Sequence, residues 1–137
     1  MKKYWIIGLS FLLLTISCKK DDKDDLEGKW LLKEVIDADG IVHKVDTVWY
    51  NFQNTLFMYQ LYDATEESPK YKHCYGFKTR ESEERILLEL TSYGTTVDDF
   101  LPYTDWSTGS RTFTVERVSG NQLILSSEEK QYKFHSF

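Results

Sequence analysis

Between Leu26 and Phe137 apolar residues recur at every second position over short runs, and no stretch has the spacing of a long amphipathic helix. Alternation of period two turns one face of each run to a core and the other to water, so this part of the chain is expected to be all-β. Eight strands are predicted, over Gly28–Asp37, Ile41–Gln53, Thr55–Tyr62, Tyr71–Thr79, Arg85–Ser92, Arg111–Val118, Gln122–Ser127 and Gln131–Phe137. Asp39-Gly40 is a strong hairpin signal, because glycine accepts the positive φ of such a turn. The polar run Ala64–Pro69 is a loop, and Ser119-Gly120-Asn121 is another turn. In the fourth strand, Tyr71, His73, Tyr75 and Phe77 fall on one face. Thr96–Asp105 is ambiguous and is compatible with one helical turn before Pro102. Eight strands with short connections make either a sandwich or an up-and-down barrel. Sequential neighbours favour an antiparallel meander, and closing it removes both unpaired edges.

The domain is preceded by two pieces of different character. Residues 1–17 have Lys2 and Lys3, then an apolar run from Tyr4 to Ile16, with no further charge until Lys19. The run is too short for a membrane span and is read as a secretory signal. Its end, Leu14-Thr15-Ile16-Ser17-Cys18, resembles a bacterial lipobox with Thr15 where a leucine is usual. That resemblance implies cleavage before Cys18 and a diacylglycerol thioether on its sulfur. Residues 18–25 are then a charged tether, since Lys19 to Asp25 are seven consecutive charged residues that cannot contribute to a core. Fully extended, the tether reaches roughly 30 Å. Lys20, Asp21 and Asp22 resemble the surface-export signal of Bacteroidota lipoproteins, and an ordinary polar linker facing the periplasm is the other reading. The expected address is the cell envelope, anchored by lipid to the outer membrane.

Leu26-Glu27-Gly28-Lys29-Trp30 opens the 26–137 domain with the Gly-x-Trp that begins lipocalins. Leu123-Ile124-Leu125 followed by Tyr132-Lys133-Phe134 is similar to the last two strands of the short lipocalin-like domains of bacterial lipoproteins. The resemblance implies an antiparallel, up-and-down, eight-stranded calycin-like barrel. Within it Gly28 allows close approach of the chain and Trp30 plugs the narrow end. In the family a late arginine stacks on that tryptophan. Here no arginine follows Arg117, so either Lys133 substitutes for it or the contact is absent.

Several chemistries are disfavoured. A net charge of −5, which becomes −7 once residues 1–17 are removed, lacks the basic surface that nucleic acid requires. Two cysteines cannot build a four-thiolate zinc site, and Cys74 is alone once Cys18 is lipidated. His73 and Cys74 are strand neighbours that point to opposite faces, so they cannot chelate one ion. Asp37-Ala38-Asp39-Gly40 starts like a calcium loop, but the twelfth position is Val48, where a glutamate is needed. Glu81, Glu83 and Glu84 surround an exposed turn without the burial that acid–base catalysis needs. No Gly-x-Ser-x-Gly or phosphate loop is present. No catalytic residue, metal or cofactor is expected.

The aromatic residues carry what remains. Of 21, Tyr4, Trp5 and Phe11 leave with the signal. Alternation puts Tyr50 with Phe52 on one face, and the long interruption before the sixth strand brings Phe100, Tyr103 and Trp106 over the barrel mouth. These five residues are the candidate pocket. An eight-stranded barrel is just wide enough for side chains to fill it. Two readings therefore stand: a binding module for a small apolar or amphipathic molecule, or a filled barrel that serves an envelope protein partner as a structural or interaction subunit.

Overall fold

The computed structural model describes residues 25–65, 67 and 70–137. The signal segment, Cys18 and the Lys20, Asp21 and Asp22 triplet lie outside the described residues. Among the described residues the strands are β1 (Gly28–Ile36), β2 (Val42–Lys44), β3 (Val48–Gln53), β4 (Leu56–Tyr62), β5 (Tyr71–Ser82), β6 (Arg85–Leu90), β7 (Ser110–Val118), β8 (Gln122–Ser127) and β9 (Lys130–Ser136). All pairings are antiparallel between neighbours, and β1 also pairs with β9, which closes the sheet on itself.

The expected strand over Ile41–Gln53 is broken in two. β2 pairs with Glu34–Ile36 of β1, and β3 pairs with Gly28–Leu31 of the same strand. The two pieces lie end to end along one side of β1 and fill a single wall position, so the barrel is eight-stranded. Opposite the break, β1 is itself irregular, with a register shift against β9 between Leu32 and Glu34. A bulge of this kind bends a strand and sharpens its twist, which a small closed barrel requires.

The Asp39-Gly40 turn forms as expected: Gly40 has φ +85°, and its N–H donates to Asp37 O at 2.9 Å. The ambiguous segment contains α1 (Val97–Phe100) and a 3-10 turn over Leu101–Tyr103 that includes Pro102. Thr96 starts α1 by accepting the Asp99 N–H on its hydroxyl at 3.3 Å.

One continuous core fills the barrel. Trp30, Tyr50, Phe57, Phe113, Tyr132 and Phe134 are all buried in it, with leucines from β6 and β8. Each fully buried Phe or Leu contributes roughly 1.5–3 kcal/mol relative to exposure.

β5 has the opposite distribution from the other strands. Its aromatic face of Tyr71, His73, Tyr75 and Phe77 points outward, while Cys74, Gly76 and Lys78 point in. A Cβ on Gly76 would lie 2.1 Å from the backbone oxygen of Glu89, so only glycine lets β6 come this close. Burial raises the Cys74 pKa, and the thiol lies 3.4 Å from Thr91 O as a weak donor.

Candidate binding site at the barrel mouth

The chain enters the barrel at Leu26, and that end is closed. Gly28 takes φ +124°, which glycine adopts without strain, and Trp30 turns inward at 3% exposure. The Trp30 indole N–H donates to Leu26 O at 2.9 Å, so the plug is tied to the chain four residues earlier. Lys133 alternates with the buried Tyr132 and Phe134 and faces outward, away from Trp30. The arginine-like stack on the plug is therefore not made by this residue.

The opposite end is bordered by the β1–β2 turn, the end of β4 and the start of β5, the 91–109 excursion and the β8–β9 turn. The excursion folds back into the barrel. Phe100 is 1% exposed and meets the Tyr59 ring edge-on, with centroids 5.4 Å apart. Trp106 goes deeper, stacking on Phe57 at 6.1 Å and donating its indole N–H to the Tyr50 hydroxyl at 3.0 Å.

Burial, followed by the charges of neighbouring groups, holds the Tyr50 and Tyr59 phenols above their ordinary pKa, so both are neutral hydroxyls at physiological pH. Beside them Arg111 projects inward from β7 at 4% exposure. Its Nη2 donates to the Tyr132 hydroxyl at 2.6 Å, its Nη1 to Asp105 Oδ1 at 3.3 Å and its Nε to Ser127 Oγ at 3.0 Å. The Tyr132 hydroxyl in turn donates to Asp105 Oδ2 at 2.5 Å. Burial works against the Arg111 charge, but Tyr132, Asp105 and Tyr50 outweigh it and raise its pKa. Burial and then the hydrogen bond to Asp105 raise the Tyr132 phenol.

Above this network lies a cavity of about 320 Å³. Leu32, Val35, Val45 and Val48 form its apolar wall, and Tyr50, Tyr59, Asp105, Lys130 and His43 bring polar atoms to it. The His43 Nε2 is 2.8 Å from Asp37 Oδ2 on the rim.

Of the five residues expected in the pocket, Tyr50 and the half-exposed Tyr103 line this cavity. Phe100 and Trp106 are instead part of the filling beneath it, because the excursion inserts its rings rather than spreading them over the opening. Phe52 lies toward the closed end, under the Lys78 ammonium at 5.5 Å. There it adjoins an open trough of about 630 Å³ on the outer wall, with Leu56, Met58 and Tyr75. The trough is larger and is lined by Glu27, Asn51 and Gln53 beside its apolar side chains, whereas the mouth adjoins the buried Arg111 and its partner Asp105.

The five-residue candidate pocket left out Tyr59, Asp105, Arg111, Tyr132 and Lys130. One signal was present: Arg111 alternates with Phe113 and Val115, which places an arginine on the inward line of β7. Among the described residues no three His, Cys, Asp or Glu side chains cluster in a way that could hold a metal ion.

The comparisons agree with this fold. A lipocalin-like protein from Bacteroides uniformis ATCC 8492 superposes with a TM-score of 0.71 at 30% identity, covering 83% of this chain and 100% of that one. An uncharacterized protein from Bacteroides eggerthii DSM 20697 superposes with a TM-score of 0.66 at 27% identity, covering 81% of this chain and 98% of that one. No curated protein matches. The family model described as a lipocalin-like domain matches residues 12–137, and with a closed eight-stranded barrel behind it the chain belongs to that lipocalin-like family.

Proposed function

We propose that this protein is a lipid-anchored lipoprotein of the cell envelope, held at the outer membrane through Cys18, whose barrel mouth binds a small amphipathic molecule without catalysing a reaction on it. The observation that carries the binding reading is the mouth cavity, lined by the apolar wall of Leu32, Val35, Val45 and Val48 together with Tyr50, Tyr59 and Asp105. Binding sites for small molecules combine such a wall with a few placed polar groups. The anchor rests on the lipobox-like Leu14-Thr15-Ile16-Ser17-Cys18 and the charged run behind it. The mouth opens at the end away from Leu26, so a tethered barrel presents it away from the membrane.

Three experiments test this. Cys18→Ala should leave uncleaved precursor or release the protein from membranes, and a soluble, conventionally cleaved wild type would refute the anchor. If Lys20-Asp21-Asp22 directs surface exposure, replacing both aspartates by alanine should protect the protein from protease added to intact cells. For the mouth, amphipathic molecules should change tryptophan emission and raise the melting temperature. A broad panel that leaves both unmoved would remove the binding reading.

A second reading, an interaction subunit with a filled core, is favoured by the outer wall. Leu56, Tyr71, Tyr75 and Phe77 are each 44–55% exposed there. The adjacent cross-strand pair Trp49 and Gln60 buries an indole N–H and an amide oxygen that have no partner. Co-purification of a stoichiometric envelope protein, lost on Tyr75→Glu, would establish it.

A further inference from the structure

Arg111 and Lys78 are the charged side chains that the barrel buries among the described residues, and Arg111 is the one at the mouth. A buried guanidinium needs a carboxylate partner, because an uncompensated charge in the interior is strongly unfavourable. The β8–β9 turn supplies an exposed one: Glu128 Oε2 lies 3.5 Å from Nε and its side chain is 58% exposed. The more buried partner, held by two side chains, comes from the excursion. Asp105 is gripped through Oδ1 by Arg111 Nη1 and through Oδ2 by the Tyr132 hydroxyl. Arg111 also lies over the Phe113 and Tyr132 rings, 5.1 Å from each centroid, which fixes its plane.

The residue after Asp105 is Trp106, whose indole lies among Tyr50, Phe57, Tyr59 and Phe113. Asp105-Trp106 thus offers the barrel a carboxylate head joined to an apolar ring, from a segment that belongs to no strand. The Asp105 side chain is 35% exposed and lines the mouth cavity, so the head is reachable from outside.

We propose that Arg111 and Tyr132 form a carboxylate-binding site that Asp105 occupies in this structure, and that the ligand of the mouth is an amphipathic organic acid that displaces the Asp105-Trp106 segment. This rests on the mouth-binding reading and names the ligand class for it. An incoming acid restores the buried partner of Arg111, whereas a neutral analogue would leave the guanidinium with the exposed Glu128 as its carboxylate. Sites built around a buried polar group discriminate strongly against ligands that lack the matching group. The loop carboxylate competes from within the same chain, at an effective concentration of roughly millimolar or above. Wild-type affinity is therefore held down by the loop.

The test uses the full-length protein with decanoate and decanol as probes, read by calorimetry and tryptophan emission. Wild type should bind decanoate about tenfold tighter than decanol or better. Asp105→Asn should tighten decanoate by about tenfold and leave decanol within about twofold. The double variant Asp105→Asn with Arg111→Gln should lose that gain, which separates seating on Arg111 from a change in overall charge. If Arg111→Gln does not fold, Tyr132→Phe should still weaken decanoate selectively. Decanoate should shift emission to the red as Trp106 leaves the core, and Trp106→Phe should remove the shift. Unchanged decanoate affinity in Asp105→Asn, or equal binding of the two probes by wild type, would overturn the proposal and make the contact a structural latch. Equal binding leaves the mouth reading standing. Absence of binding by both probes in wild type and Asp105→Asn overturns the two together.

Discussion

The two ends of the barrel are each filled by a tryptophan of nearly equal burial, Trp30 at 3% exposure and Trp106 at 4%, but the two are held by different parts of the chain. Trp30 belongs to a wall strand and bonds to a carbonyl four residues away. Trp106 belongs to an excursion between β6 and β7 and bonds to a tyrosine 56 residues away. The tryptophan at the Leu26 end is part of the sheet, whereas the filling at the mouth comes from a segment outside it, next to the Asp105–Arg111 pair. Equal burial therefore does not mean equal coupling to the fold. The Leu26 end is expected to unfold with the whole barrel, and the mouth segment to open at lower cost.

Trp30→Ala should have the largest effect on this contrast, a loss of about 3–5 kcal/mol in equilibrium denaturation. Amide exchange should accelerate across all strands together. A loss under about 1 kcal/mol would place Trp30 outside the cooperative core.

Trp106→Ala comes next, at about 3 kcal/mol, the low end of the range because a loop relaxes into the space more readily than a strand. Here exchange should accelerate in residues 91–109 while β1 and β9 remain protected. Uniform acceleration would erase the difference between the ends.

Asp105→Ala should cost about 2 kcal/mol, since it removes the carboxylate from a buried guanidinium that keeps its bonds to Tyr132 and Ser127. Melting temperatures measured with and without 0.5 M salt, chosen as roughly the level at which exposed pairs are screened, should differ less than for a surface pair, because the arginine of this one is buried.

The smallest effect is expected from Tyr50→Phe, about 1 kcal/mol at neutral pH for the lost bond from Trp106. The pH profile sharpens the comparison. Tyr50, Tyr59 and Tyr132 all have folded-state pKa values raised above the ordinary 10.0, with burial as the leading cause. The stability linked to them is complete below that unfolded value and is lost as pH rises from it toward the folded values. Melting temperature should therefore fall above about pH 10, and Tyr50→Phe should shallow the fall. An unchanged slope would show that the Tyr50 phenol is not sealed by Trp106.

Much of the fold was legible because its signals are local. Alternation located the strands, Asp39-Gly40 located the first hairpin, and the loss of alternation before Pro102 located the excursion. Gly-x-Trp pointed to an inward tryptophan near the start of the first strand, and Trp30 is there. The break in Ile41–Gln53 was not legible, because it answers a register shift in β1 rather than a turn signal in its own residues.

The candidate site was legible only in part. Tyr50 faces inward on its strand as alternation suggests, but Asp105, Arg111 and Tyr132 are separated by up to 27 residues and meet only after the barrel closes. β5 shows the same division. Its sequence establishes that Tyr71, Tyr75 and Phe77 share a face, since side chains alternate in any strand. Which face points inward was decided by the space left inside, where close approach of β6 admits only Gly76 and the excursion supplies its own rings. Period and partner type belong to the sequence, because they depend on adjacent residues. Facing and pairing across the barrel belong to the tertiary structure, because they depend on which rings already occupy a core too narrow for all of them.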